Sequence, residues 1–183
     1  MKNNIILIGF MGSGKSTIGK IIAENFGMHF LDTDAWIEER EQITISEIFA
    51  SRGEAYFREL ETKCLEVLLE ESGKGSDDKV IRNVISVGGG LPMKEENRQL
   101  LKKLGKVIYL KATEETIYNR LKTDTTRPLL QGDNPKQKIK NLMEQREEIY
   151  CQAADVVVEV DNKEIMEIVE EIKIIFDKRK NKL

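Results

Sequence analysis

Two rhythms of apolar residues alternate along the chain. Short, nearly unbroken runs form the first: Ile5-Ile6-Leu7-Ile8, Met28-His29-Phe30-Leu31, Val84-Ile85-Ser86-Val87, Val107-Ile108-Tyr109-Leu110 and Val156-Val157-Val158. Runs of this length read as strands covered on both faces. Stripes at helical spacing form the second. They are Ile18, Ile21, Ile22 and Phe26; Phe57, Leu60, Cys64, Val67 and Leu68; and Ile165, Ile168, Val169, Ile172 and Phe176. Each places one apolar face on a helix.

Local signals punctuate these elements. Thr44-Ile45-Ser46-Glu47 is a capping box that opens a short helix, and Gly53 stands near its end, ahead of a longer helix over 54–71. Thr113 caps a helix over 114–122, and Asn134-Pro135 supplies an N-cap and a first helical proline for a helix that reaches about 150. A helix over 95–104 precedes the fourth strand, and a basic tail follows 178. The segment 72–79 is a polar, glycine-rich surface loop. Strand and helix alternate throughout, which predicts an α/β fold: a five-stranded parallel sheet flanked by helices on both faces. There is no internal repeat and no linker, so residues 1–183 read as a single domain.

The chemistry starts between the first strand and the first helix. Gly9-Phe10-Met11-Gly12-Ser13-Gly14-Lys15-Ser16 matches G-x-x-x-x-G-K-[ST], a loop that cradles phosphates. Glycines let successive backbone N–H groups approach phosphate oxygens, and the following helix N-terminus favours negative charge. Lys15 supplies a mobile cation for the outer phosphates, and the Ser16 hydroxyl is a magnesium ligand.

Composition narrows the classes. With 40% hydrophobic and 33% charged residues, the chain has the makeup of a soluble globular protein. The net charge of -3 supplies no overall basic field for nucleic acid or an anionic membrane. Two distant cysteines, Cys64 and Cys151, fit reduced thiols in a cytoplasmic protein, and the single histidine, His29, argues against a histidine metal site. No signal peptide opens the chain and no apolar run is long enough for a bilayer. No exposed apolar stripe is evident, which favours a monomer.

Four further features are candidates for chemistry. Asp32 and Asp34 end the second strand, at the C-terminal edge where open α/β sheets bind ligands. Arg58 and Glu61 lie one helical turn apart. Gly88-Gly89-Gly90 follows a buried strand, where it exposes bare backbone to a ligand. The long polar loop at about 122–134 contains Arg127, held extended before Pro128 and able to swing over a phosphate.

Among phosphate-loop proteins a GTPase fits poorly, because Asn162-Lys163-Glu164-Ile165 lacks the guanine-reading aspartate. An ATPase motor fits poorly too, because Ser86 and glycines stand where an acidic residue is usual. A small-molecule kinase fits better: 122–134 serves as a lid that excludes water, and 33–61 as an acceptor pocket. Gluconate and nucleoside monophosphates stay open as acceptors, as does a silent nucleotide-binding module.

The ordered set of motifs resembles the shikimate kinases across essentially the whole chain. It comprises the phosphate loop, Asp32-Thr33-Asp34, Phe57-Arg58-Glu59-Leu60-Glu61, Gly88-Gly89-Gly90, Arg127-Pro128-Leu129-Leu130, and Arg146 four residues before Tyr150. The resemblance implies a P-loop kinase fold with strand order 2-3-1-4-5 and phosphorylation of the shikimate 3-hydroxyl by ATP. It implies that Asp34 is the general base, and that Lys15 and Arg127 stabilise the transferred group. Gly12, Ser13, Gly14, Ser16 and Thr17 would complete the phosphate cradle, and Arg120 would stack on adenine. Arg58, Arg146, Gly89 and Gly90 would hold the shikimate carboxylate; Phe57 would line its pocket, and Glu61 would orient Arg58. Ser16 and Asp32 would hold Mg²⁺.

Overall fold

The computed structural model describes residues 4–73, 82–122 and 134–177. Five strands, β1 (Asn4–Ile8), β2 (His29–Asp32), β3 (Asn83–Ser86), β4 (Gly105–Lys111) and β5 (Val156–Glu159), form one sheet in the order β2-β3-β1-β4-β5. All four pairings are parallel, with Ile5 beside Val84 and Lys106, and Ile108 beside Val156. The helices are α1 (Lys15–Phe26), α2 (Thr33–Glu41), α3 (Ile45–Gly73), α4 (Glu95–Leu104), α5 (Glu114–Leu121), α6 (Pro135–Ala153) and α7 (Ile165–Asp177). The expected architecture and strand order are therefore present.

β1 is buried along its whole length, as a central strand covered on both faces must be. Its residues Ile5 to Ile8 join Ile22, Leu65, Leu101 and Ile172 in the main core. A smaller cluster of Ile37, Ile48 and Phe57 lies within 33–61 and holds α2 against the first part of α3.

Local chemistry sets the element ends. Thr44 N and Oγ1 both donate to Glu47 Oε2, at 2.8 and 2.7 Å, and Glu47 N returns a bond to Thr44 Oγ1. Gly53, at φ 80° and ψ 172°, breaks α3 into the short and long helices that the sequence predicts. Asn134 caps α6 by accepting from Gln137 N. After β3 a short 3-10 turn, Leu91–Met93, intervenes before α4; the periodicity did not show it.

Two neighbours in the sheet position the site. The chain leaves β1 toward β2, past β3, and leaves β3 toward β4, past β1; right-handed crossovers that run in opposite directions lie on opposite faces of the sheet, so the loops after these adjacent strands part and open a crevice. No helix among the described residues is long and apolar enough to cross a membrane.

Candidate active site

The crevice is one cavity of about 1030 Å³. At one end the phosphate loop wraps it, with Gly12 and Gly14 at φ 78° and 95°. Gly14 is the N-cap of α1, makes no side-chain cap, and the first turn carries no acidic residue. The helix start is left open to an anion. Lys15 is largely buried and donates through Nζ to the carbonyls of Gly9 and Phe10, both at 2.9 Å. Gly12, Ser13, Gly14, Lys15, Ser16 and Thr17 all line the cavity, as expected of a phosphate cradle. Arg120 lines it too and donates to the Gly12 carbonyl at 3.0 Å, so it bridges α5 to the loop.

Beside the cradle, Ser16 Oγ donates to Asp32 Oδ2 at 2.7 Å and lies 3.3 Å from Ser86 Oγ. Asp32 also caps α2: its Oδ1 accepts from the Asp34 amide at 3.1 Å. Capping and a ligand-facing oxygen are thus two uses of one side chain. A hydroxyl with a single carboxylate suits Mg²⁺, which keeps several waters and takes its other ligands from phosphates.

At the other end, Asp34, Phe57, Arg58 and Glu61 face the same cavity. Arg58 Nη1 donates to Glu61 Oε2 at 2.8 Å, while Nη2 and Nε both donate to Glu54 Oε1, at 2.7 and 3.2 Å. Burial lowers the Arg58 pKa, but the Glu61 and Glu54 carboxylates outweigh it and the net shift is upward. Glu61 is fully buried; burial pushes its carboxyl up to about 7, against the pull of Arg58. Arg146 is only 8% exposed, not the solvated charge that its position in a helix suggests by itself. Its guanidinium carbon lies 5.7 Å from the Phe10 ring centroid, within reach of a cation–π contact.

The glycines after β3 have a partly different use from the one expected. A Cβ on Gly88 would stand 2.6 Å from Asp34 Oδ1 and 3.0 Å from Glu61 Oε1. A Cβ on Gly90 would stand 2.7 Å from the Arg58 guanidinium carbon. The missing side chains make room for the protein's own carboxylates and guanidinium. The Gly88 amide is committed to Thr33 Oγ1 at 3.0 Å. Gly89 and Gly90 still line the cavity.

The cavity therefore brings together the sequence-predicted site residues that the structure describes. Arg127, and the loop at about 122–134 apart from its ends, lie outside the described residues. Three supporting groups were missed. Glu54 was legible as a carboxylate four residues before Arg58 on a helix. Tyr150 was legible only as the residue four after Arg146; its bond to the Gly89 carbonyl, and the bond from Thr62 to the buried Asn97, which also donates to the Leu91 carbonyl, act across long sequence separations and left no sequence signal.

Residues 11–176 match the family model described as shikimate kinase. The chain belongs to the shikimate kinase family. Within it, the chain is 46% identical over 169 residues to a shikimate kinase of Sulfurihydrogenibium sp. (strain YO3AOP1), spanning 92% of this chain and 95% of that one. It is 44% identical to that of Persephonella marina, spanning 92% and 96%. Among solved structures, the shikimate kinase from Acinetobacter baumannii in complex with shikimate superposes at a TM-score of 0.88, with 36% identity, covering 98% of this chain and 96% of that one. A gluconokinase from Sinorhizobium meliloti, at a TM-score of 0.56 and 19% identity, shares the fold alone. The shikimate kinase family accounts for ATP as co-substrate and Mg²⁺ as the usual metal.

Proposed function

We propose that this protein transfers the γ-phosphoryl group of ATP to the 3-hydroxyl of shikimate, giving shikimate 3-phosphate and ADP on the route to chorismate and the aromatic amino acids. The single observation that carries this reading is that Arg58 and Arg146 line the same cavity as Lys15. Two guanidinium groups opposite a phosphate cradle select an acceptor that bears a carboxylate. Hydrogen bonds to charged groups are worth about 1.5–3 kcal/mol each, enough to disfavour a neutral polyol.

In this mechanism Asp34 accepts the proton of the attacking hydroxyl. Phosphoryl transfer depends mainly on positioning and charge, so an ordinary carboxylate suffices as base. Lys15, and Arg127 by family resemblance, neutralise charge on the transferred group. Gly12, Ser13, Gly14, Ser16 and Thr17 hold the phosphates, and Arg120 stacks on the base. Arg58 and Arg146 grip the acceptor carboxylate with the Gly89 and Gly90 backbone, Phe57 packs on the ring, and Glu61 orients Arg58. Ser16 and Asp32 would hold Mg²⁺, directly or through water, and the ion would supply positive charge that offsets the charge of the phosphates. We take 1–183 as one kinase domain, 33–61 as its acceptor segment and 122–134 as its lid. The protein then acts as a cytoplasmic monomer without a nucleic-acid partner.

The test is a steady-state assay with coupled ADP detection on shikimate, gluconate and CMP. Turnover of shikimate far above the other two is expected. A preference for gluconate or CMP, or no turnover with any of them, refutes the reading.

A further inference from the structure

Arg58 is enclosed on three sides. Its Nη1 is held by Glu61, whose side chain is 1% exposed. The Nη1, Cζ and Nη2 atoms pack against Gly90, where no side chain fits between. The remaining edge, Nε and Nη2, is the pair of parallel donors that suits a carboxylate, and both donate to one oxygen of Glu54.

These neighbours differ in how readily they yield. Displacing Glu61 would strand a charge in the interior, which is strongly unfavourable. Gly90 is backbone, tied into the turn by a bond from the Met93 amide at 3.0 Å. Glu54 has a side chain 57% exposed and pairs with Arg58 across one helical turn, the class of ion pair that contributes least. It directly follows the helix break at Gly53, where, apart from the neighbouring chain, no atom lies within 4 Å of the position a Cβ would take. Glu54 therefore has both a weak hold and free space beside its backbone.

We propose that Glu54 is a place-holder for the acceptor carboxylate and a specificity determinant: it occupies the free edge of Arg58 until an acceptor carboxylate takes its place. This rests on the reading that Arg58 grips that carboxylate. A neutral acceptor offers Arg58 nothing equivalent to the bond it must give up. A carboxylated one exchanges like for like, and Glu54 moves out to water, away from the like charge. The device favours carboxylates at the cost of some affinity for all acceptors.

The experiment compares the full-length protein with Glu54→Gln, an isosteric change that removes the charge and leaves the helix intact. Shikimate binding is measured by titration calorimetry without nucleotide, and kcat and both KM values by coupled assay. We expect the shikimate Kd and KM to fall together by roughly two- to five-fold, the scale of an exposed ion pair, while kcat and the ATP KM stay within about two-fold. A shikimate Kd that is unchanged or raised in Glu54→Gln overturns the proposal, and a raised value identifies Glu54 as a support for Arg58 instead. If the unaltered protein neither binds nor phosphorylates shikimate, the functional reading fails and takes this inference with it. If it does both, only the comparison with Glu54→Gln decides.

Discussion

Tyr150 donates its phenolic hydrogen to the carbonyl of Gly89 across 2.5 Å. The tyrosine is 1% exposed and its ring lies 5.1 Å, centroid to centroid, from that of Tyr109. Burial pushes its pKa up to about 12, against the opposing pull of Arg146, so the phenol remains a donor at any working pH. The bond fastens the helix that carries Arg146 to the glycine turn that touches Arg58. Removing the hydroxyl leaves a backbone acceptor without its donor. Tyr150→Phe should cost about 1–3 kcal/mol of stability and raise the shikimate KM more than the ATP KM. Thermal unfolding and steady-state kinetics check this; a destabilised variant with an unchanged shikimate KM would confine Tyr150 to the core.

Asp34 lines the cavity together with Lys15 and Arg58. As the general base it should be indispensable for chemistry and dispensable for nucleotide binding. Asp34→Asn should lower kcat by roughly 10²–10⁴-fold and leave ATP affinity unchanged. Single-turnover assays and a nucleotide titration measure the two effects separately, and near-normal turnover removes Asp34 from the role.

Arg146 is buried against Phe10, so its truncation costs packing as well as charge. Loss of one charge-assisted contact of about 1.5–3 kcal/mol corresponds to a rise of roughly 10- to 150-fold in shikimate KM for Arg146→Ala. The ATP KM should change far less. Product formation at varied shikimate and at varied ATP tests this, and an effect confined to ATP would place Arg146 at the other end of the cavity.

Glu61 carries a pH dependence whose sign follows from its burial. Its carboxyl titrates near 7 in the folded chain, above the ordinary value of 4.5. Between those values the folded state binds more protons than the unfolded one, so its contribution to stability is complete below about 4.5 and is lost as pH rises through about 7. Glu61→Gln cannot ionise and should flatten that part of the stability profile. Melting temperatures taken stepwise from acid to neutral pH check the slope; parallel profiles for the two proteins would show that Glu61 titrates alike in the folded and unfolded chain.

The arrangement of Arg58 shows where sequence reading stops. Its partner Glu61 was readable from a spacing of three residues, because helix geometry alone brings such pairs together. Its packing against Gly90 was not, because that contact depends on how α3 settles against the turn after β3. Asp32 is similar. Its place at the ligand edge followed from the strand pattern, but its bond to Ser16 required β2 and the start of α1 to meet.

By itself, the sequence determined what acts over a few residues: the parallel α/β alternation, the open phosphate-binding helix start, the Thr44–Glu47 capping box and the cap at Asn134. Backbone geometry sets these wherever the chain goes. Only the tertiary structure decided that Gly88 and Gly90 make room for Asp34, Glu61 and Arg58, that Tyr150 holds Gly89, and that Arg146 is buried. Such contacts join segments tens of residues apart, and their distances come from how helices and sheet pack, which the order of apolar and polar residues does not specify.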